Sequence, residues 1–450
     1  MTQDKNKILI ESIKRLLRRN AIGHLRKIVN KTHAADLSDI FPYLTVRQQH
    51  RIFELIDDVE KKGFLFSELD EATFLAFVDQ MNVDDIVPVL EAMPSDDVAD
   101  ILGQLQEEKS DAILKKMKRE GQEEVESLLK YGDDTAGGIM VPDFIALRED
   151  ETAGEAIKLF QKDYKDVEMP FYLYVVDEYG KLVGVSSLRQ LVVVSPETPL
   201  KAFMSTDVIS VRTDMDQEEV AKVVARYDIL AVPVVDDTNT LVGIITVDDI
   251  IDIIKEEADE DMLKMAGIGA EMIESKSVFK NTRTRMPWLL ASCFGGLAAT
   301  FIIASFSDTL QKVAALAAFI PVINGMGGNI GTQSSTIVVR GISMGYLDVR
   351  KIWAVVFKEL SVGFLLGVVY GILIGTFAHF RFNAFKLALA VGSAVVCSMS
   401  VAALVGSLVP MVFARMKIDP AVATGPFVTT AIDIIAVFFY FQISSILLGL

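Results

Sequence analysis

The chain has 450 residues, 44 Lys+Arg against 61 Asp+Glu, a formal net charge of −17 and 51% apolar residues. Acidity this strong argues against a nucleic-acid partner and for cations, and the length allows roughly two to four domains. The charge is unevenly divided. Residues 276–450 hold 5 Asp/Glu (Asp308, Asp348, Glu359, Asp419, Asp433) and 13 Lys/Arg, a net of +8, which leaves 56 acids and 31 bases, a net of −25, for residues 1–275. The front therefore reads as an acidic water-soluble protein and the back as a membrane domain. Cys293 and Cys397 lie in apolar segments and form no metal or redox motif. Basic residues near the N-terminus have no apolar core behind them, so no secretory leader is expected.

Residues 1–131 read as helices only, with apolar positions at helical spacing (Ile8, Ile13, Leu16, Leu17; Val98, Ile101, Leu102, Leu105). Asp84-Asp85-Ile86-Val87 is echoed by Asp96-Asp97-Val98-Ala99. Each acid pair stands where a helix would begin, favoured by the N-terminal dipole. The pattern predicts short stacked helix pairs, a small superhelix. Most of these acids read as caps and solvated faces. His24, His33 and His50 read as surface or packing residues, and no nucleophile–base constellation or Walker-type Gly-rich Lys loop is present, so no enzyme activity is expected.

Gly132-Asp133-Asp134-Thr135-Ala136-Gly137-Gly138 breaks the helical pattern and marks a boundary. An internal repeat follows. Tyr174-Val175-Val176-Asp177 through Leu182-Val183-Gly184-Val185 matches Pro233-Val234-Val235-Asp236 through Leu241-Val242-Gly243-Ile244, and Met140 and Met204 open the two units. Each unit predicts strand, helix, strand, turn, strand, helix. Over residues 137–255 this resembles a tandem pair of CBS (cystathionine-β-synthase-like) domains, expected at 132–200 and 201–255. That resemblance implies a cleft for an adenine nucleotide such as ATP, with Thr246 and Asp249 as the hydroxyl-plus-Asp ribose motif and with Arg189 and Tyr172 as further contacts. The first repeat has Ser187-Leu188-Arg189-Gln190 there, without the Asp.

The second repeat runs into Asp248, Asp249, Asp252, Glu256, Glu257, Asp259, Glu260 and Asp261, relieved by Lys255. Interleaved Ile250, Ile251, Ile253, Ile254 and Met262 make this one amphipathic connecting helix, expected within 248–276 and stopped near Gly267 and Gly269. Like charges at i,i+4 repel. One reading is a solvated face. The other is hydrated divalent cations bridging the carboxylates, since Mg²⁺ binds through few carboxylates and keeps its waters. Lys276, Lys280, Arg283 and Arg285 then form the basic flank expected on the cytoplasmic side.

Five apolar segments follow, near 287–306, 313–339, 352–378, 385–413 and 421–448. Each is long enough to cross a bilayer, which takes roughly 20 residues. The basic connections Arg340–Lys351 and Arg415–Lys417 fall on the cytoplasmic side if the acidic half is cytoplasmic, giving an external C-terminus; the basic Phe380–Lys386 loop runs against this rule. The second segment carries Gly325-Met326-Gly327-Gly328-Asn329-Ile330-Gly331-Thr332-Gln333-Ser334, whose glycines allow close helix approach and whose polar groups suit a cavity lining. Lys358 and Glu359, near the start of the third segment, are read as a pair. That leaves Asp433 as the one formal negative charge deep in the spans. A carboxylate at that depth costs several kcal/mol unless it meets a partner, an ion or water. It is either a buried acid bonded to a neighbouring helix or a cation site, with Gly425-Pro426 opening the backbone beside it.

The order of parts, with Asp134-Thr135-Ala136-Gly137-Gly138-Ile139-Met140, Gly328-Asn329-Ile330-Gly331-Thr332-Gln333-Ser334 and Asp419-Pro420 … Gly425-Pro426-Phe427-Val428-Thr429-Thr430 … Asp433, resembles the MgtE family of magnesium channels. The resemblance implies an all-α superhelical N-terminal domain, an α/β tandem CBS pair, a long connecting helix and an all-α transmembrane domain of five helices. It further implies a homodimer in the cell membrane whose second and fifth spans line one pore. Mg²⁺ would be held by Asp433 with Thr429, Gly425, Gly328 and Asn329. Cytoplasmic Mg²⁺ would close the pore by bridging acids among Asp96, Asp97, Asp214, Asp216, Asp248, Asp249, Asp252, Glu256, Glu257, Asp259, Glu260 and Asp419. Two rivals stand beside this reading: a proton- or sodium-coupled divalent cation transporter, and a non-conducting membrane-anchored nucleotide sensor.

Overall fold

A computed structural model of the chain describes residues 2–163, 171–269, 277–422 and 424–449. It divides into two compact units, Met1–Lys255 and Glu256–Leu450.

The first unit begins with ten α-helices among the described residues, α1 (Thr2–Arg18) to α10 (Arg119–Leu128). The acid pairs stand where the sequence places them: Asp84 and Asp85 in the first turn of α7 (Val83–Leu90), Asp96 and Asp97 in that of α8 (Ser95–Gln104). Helices two apart in sequence pack together, α2 (Ile22–Lys31) on α4 (Val46–Phe53), α3 (Ala34–Ser38) on α5 (Val59–Ser67), α5 on α7 and α8 on α10, which makes a stacked superhelix. Their apolar stripes close over an aromatic core in which Phe53 stacks on Phe66 with centroids 5.0 Å apart and Phe77 packs edge-on. Such a pair adds about 1 kcal/mol beyond area burial. His50 lies against Phe77 at 4.4 Å, a packing role, and His33 caps α3 (Ala34–Ser38).

The repeat builds two three-stranded sheets of one design. In each, the first and second strands are parallel and the second and third antiparallel: β1 (Ala146–Arg148), β2 (Tyr172–Val176), β3 (Leu182–Ser187), then β4 (Val211–Arg212), β5 (Ala231–Val235), β6 (Leu241–Thr246). Helix α11 (Ala153–Asp163) follows β1, α12 (Leu188–Val193) follows β3, and α13 (Gln217–Tyr227) follows β4. The two opening methionines cross over. Met140 lies on Gly243 of the second repeat and Met204 on Gly184 of the first, where any Cβ would collide with the sulfur. Val141 bridges Ile244 and Val185 bridges Ser205, so each repeat's leading segment seals the other's sheet. Between the repeats, Val141, Tyr174 and Leu182 of the first pack with Val235, Leu241 and Ile244 of the second.

The connecting helix, α14 (Val247–Met265), stops close to Gly267, where the sequence places its end. Gly267, with a φ of +72°, suits a glycine after a helix end; residues 270–276, with Lys276 of the basic flank, lie outside the described residues.

Among its described residues the second unit holds five helices long and apolar enough to cross a membrane. They are α15 (Val278–Ser305), α17 (Ile320–Ser343) after the short α16 (Ser307–Lys312), α18 (Ile352–Phe382), α19 (Phe385–Arg415) and α20 (Pro426–Leu448). Lys280, Arg283 and Arg285 stand inside the first turns of α15 and not in a flank before it. The fifth span begins at Pro426 and not at 421. Gly425 is its N-cap with Pro426 at the first helical position, so this pair starts the helix and does not break it, because the missing proline N–H is one that needs no partner there.

Helices α18 and α19 form the tightest pair. Gly363, Gly367, Gly371 and Gly375 recur every fourth residue on α18. A Cβ at each would lie 2.7–2.9 Å from backbone atoms of Met399, Val396, Gly392 and Ala388 on α19. Only glycine permits this approach, and it gains dispersion contact where lipid supplies no hydrophobic drive. The outward faces carry Leu289, Phe294, Phe301, Leu365, Ile372 and Phe377, the apolar exposure that a bilayer covers.

Candidate functional site

Helix α20 places Gly425, Thr429 and Asp433 at successive i,i+4 positions, on one face. The Thr429 hydroxyl donates to the carbonyls of Gly425 (3.2 Å) and Pro426 (3.3 Å), which leaves its lone pairs open. The Asp433 carboxylate is half-buried and makes no hydrogen bond or ion pair among the described residues. The reading of Asp433 as an acid bonded to a neighbouring helix therefore has no donor to name.

Helix α17 meets α20 through Gly327 and Gly331, which lie against Ile432; Gly327 also faces Ala436. Five alternating spans run the second and fifth antiparallel. In two facing antiparallel helices, the residue after each contact position turns to the same flank. Gly328 and Thr332 on α17 and Asp433 on α20 thus share a flank. Asn329, Thr332, Gln333 and Thr336 are exposed in the single chain, a polar stripe on a span that cannot face lipid without cost. The glycine run divides in two. Gly327 and Gly331 make the close contacts, whereas a Cβ on Gly325 or Gly328 would meet nothing within 4 Å. The expectation that Gly328 sits in a tight backbone contact is corrected: it borders open space.

At the start of α20, the end of α14 packs on the chain. A Cβ at Gly425 would lie 2.9 Å from the Met265 carbonyl and 3.3 Å from the Gly267 nitrogen, and one at Gly267 would lie 3.1 Å from Pro426. Beside this contact Lys264 bridges Glu260 (2.6 Å) and Asp419 (2.8 Å). Burial pulls the Lys264 ammonium down, but its hydrogen bonds to Asp419 and Glu260 outweigh that and hold it above the ordinary lysine range. Asp261 accepts from the Ser343 hydroxyl at 2.8 Å; burial pushes its carboxyl up and the Ser343 bond opposes. Asp419, expected as a further ligand at this mouth, is thus engaged by an ammonium.

In the first unit, Asp97 on α8 and Asp248 and Asp249 on α14 come together with Glu68, which sequence reasoning missed. Burial, then the charges of Asp249, Glu68 and Asp248, push the Asp97 carboxyl up to about 6. Asp249 accepts from the Thr246 hydroxyl at 2.5 Å, and burial pushes its carboxyl up as well. In the first repeat, the Ser187 and Gln190 side chains form a capping box at the place that Thr246 and Asp249 hold in the second. Tyr172 pairs across the sheet with Ser187, and Arg189 is exposed in the first turn of α12. Asp214 is paired with Arg212 at 3.1 Å, and Asp216 caps α13 by accepting from the Glu218 N–H at 2.9 Å. Asp96 is buried, and Asp252, Glu256, Glu257 and Asp259 lie along α14. Among the described residues, no three His, Cys, Asp or Glu side chains form a ready-made ligand set.

Glu359 is the second residue that sequence reasoning misplaced. Neighbours in a helix do not face each other, so Lys358 is exposed while Glu359 is 5% exposed and accepts from the Ser334 hydroxyl on α17 at 2.9 Å. Asp433 is therefore not the one carboxylate within the spans. The signal was present: Glu359 stands four residues before Gly363 on the glycine stripe.

A membrane unit of five apolar helices, with a carboxylate that has no partner among the described residues and a polar stripe, joined through an acidic helix to a CBS pair, defines a cation transport protein. The family model described as a divalent cation transporter, MgtE, matches residues 320–443; that of the MgtE intracellular N domain matches 32–134; and that of the CBS domain matches 136–197 and 200–256. The magnesium transporter MgtE of Bacillus subtilis is 33% identical over 447 residues, covering 99% of this chain and 98% of its own length. The magnesium transporter MgtE of Thermus thermophilus is 33% identical over 446 residues and covers 98% of each. Among solved structures, the cytosolic domain of the Mg²⁺ channel MgtE in complex with ATP aligns with a TM-score of 0.52 at 34% identity, covering 54% of this chain and 99% of that one. The chain belongs to the MgtE family.

Proposed function

We propose that this protein carries Mg²⁺ into the cell down its electrochemical gradient, along a path lined by α17 and α20, and that cytoplasmic Mg²⁺ closes the path. The observation that carries this reading is the free Asp433 carboxylate on the flank shared with Gly328 and Thr332. An exposed polar stripe within the spans calls for a partner, and a second copy of the chain supplies one: the homodimer places two Asp433 carboxylates about a single axis. Thr429, Gly425 and Asn329 then add oxygens for a hydrated ion, which suits Mg²⁺ because it sheds its waters reluctantly. An inside-negative potential contributes about 2.3 kcal/mol per charge per 100 mV, so roughly twice that for a divalent ion, and no ATP hydrolysis is needed.

Closure follows if Mg²⁺ binds the closed arrangement better than the open one. The cluster of Asp97, Asp248, Asp249 and Glu68 supports this, because burial first, and then the charges of its neighbours, make the Asp97 carboxylate costly to keep charged until a cation or a proton neutralises it. Asp252, Glu256, Glu257 and Asp259 carry the same logic along α14; Glu260 and Asp419, held by Lys264, and Asp214 and Asp216, occupied by pairing and capping, are weaker members beside Asp96. The ATP complex of the related cytosolic domain supports an adenine nucleotide at the CBS pair, and the hydroxyl-plus-Asp pattern of Thr246 and Asp249 favours the second repeat, with Tyr172 and Arg189 as contacts from the first. The acidic half and the CBS pair are cytoplasmic and the C-terminus external in this reading.

Mg²⁺ uptake into sealed vesicles holding the purified protein, with no other ion gradient, tests it. Uptake supports a channel; uptake that appears only with an imposed proton or sodium gradient favours the coupled transporter; none under either condition favours the sensor.

A further inference from the structure

Glu359 is a buried carboxylate that the transport path does not use. It lies about two turns into α18, at the cytoplasmic end of the glycine stripe that fixes α18 on α19. Its one hydrogen bond among the described residues comes from Ser334. Ser334 is itself 1% exposed and sits on α17 about two turns beyond Gly327, and one turn beyond Gly331, the two positions where α17 meets α20. Helix α17 touches α18 far less than it touches α19 or α20. The Ser334–Glu359 bond is thus a polar tie between a rigid helix pair and the helix that carries Gly328, Asn329 and Thr332.

We propose that Glu359 is a positioning residue: through Ser334 it sets the rotation and height of α17, and so the alignment of the α17 stripe with Asp433. The inference rests on the reading of α17 and α20 as the ion path. The physical reason is that a buried hydrogen bond at low dielectric is strong and directional, whereas glycine contacts alone leave a helix free to slide. One residue of slip moves a side chain by roughly 1.5 Å along the axis and 100° around it, enough to carry Asn329 away from the flank.

The test is a set of full-length variants in vesicles, with Mg²⁺ uptake and the ratio of Mg²⁺ to Ca²⁺ uptake as readouts, and with membrane insertion and thermal stability checked for each. Glu359→Gln keeps an acceptor for Ser334 and should stay within about twofold of the parent in rate and selectivity. Glu359→Leu and Ser334→Ala should each lose about tenfold in the Mg²⁺/Ca²⁺ ratio, and the double variant should lose no more than either alone. The proposal is overturned if Glu359→Gln is as damaged as Glu359→Leu, since the charge would then be what matters. It is also overturned if Glu359→Leu, inserted and folded, selects Mg²⁺ normally. Asp433→Asn in the same assay separates the two claims. If Asp433→Asn transports normally, the ion path is wrong; if it fails while Glu359→Leu is normal, only the positioning role is wrong.

Discussion

The cluster around Asp97 makes a protonation experiment informative. Asp97 titrates near 6 against an ordinary 3.8, mainly because burial disfavours its charge and then because Asp249, Glu68 and Asp248 repel it. That is about 2 units, or on the order of 3 kcal/mol between the two protonation states. The proton binds the assembled form more tightly. The stabilisation is therefore fully present below about pH 4 and is lost as pH rises through about 6. Between pH 7.5 and pH 5 the contact of α8 with the start of α14 should tighten by about 1.4 kcal/mol, roughly tenfold, with no divalent ion present. Amide hydrogen exchange of α8 and α14 in the full-length protein, in chelator, reads this directly. Asp97→Asn should be protected at both pH values and change by no more than about twofold between them, the remainder coming from Asp249. A tenfold pH effect that survives in Asp97→Asn would refute the placement of the repulsion at this carboxylate.

Other outcomes follow from the same geometry. Lys264→Met removes two ion pairs whose partners are about a third exposed, each about 0.5–1 kcal/mol. The internal Mg²⁺ needed for half closure should rise about fivefold in current recordings, and Lys264→Arg should restore it. Gly371→Leu forces a side chain onto the Gly392 carbonyl and should cost at least about 1–3 kcal/mol, seen as a lower Tm in detergent. Gly328→Leu, facing open space, should leave Tm unchanged and block Mg²⁺ uptake. Replacing Asp248, Asp249, Asp252, Glu256, Glu257 and Asp259 together with Asn or Gln removes repulsion and bridge alike. A bound divalent ion ties surfaces together and a neutral side chain does not, so this variant should stay open at internal Mg²⁺ that shuts the parent.

The elements with strong periodicity were legible: the acid-started helices of the front, the doubled strand pattern and the apolar segments. Helix ends were less so, because local chemistry decides them. Pro426 looked like a break within a span and is a start. The Met140 and Met204 motifs were visible, but not that each methionine seals the other repeat, since that exchange is tertiary. Among site residues, Asp433 and the α17 stripe could be read from polarity in an apolar run. Lys264 could have been, four residues after Glu260 on one helix face. Glu68 could not, because nothing in its own neighbourhood tells that the fold brings it to Asp97. Glu359 was seen and given the wrong partner, because adjacent charges invite pairing that a helix forbids.

The claim on which the account turns is that Asp433 stands in the ion path. Mg²⁺ uptake by the purified parent and by Asp433→Asn, reconstituted side by side at matched protein content, measures it. The account predicts that the parent takes up Mg²⁺ with no other gradient and that Asp433→Asn, inserted and as stable as the parent, loses at least about tenfold of that uptake, since a shift of about 1.4 kcal/mol in ion affinity is already tenfold. Unchanged Mg²⁺ uptake by a folded Asp433→Asn would contradict it.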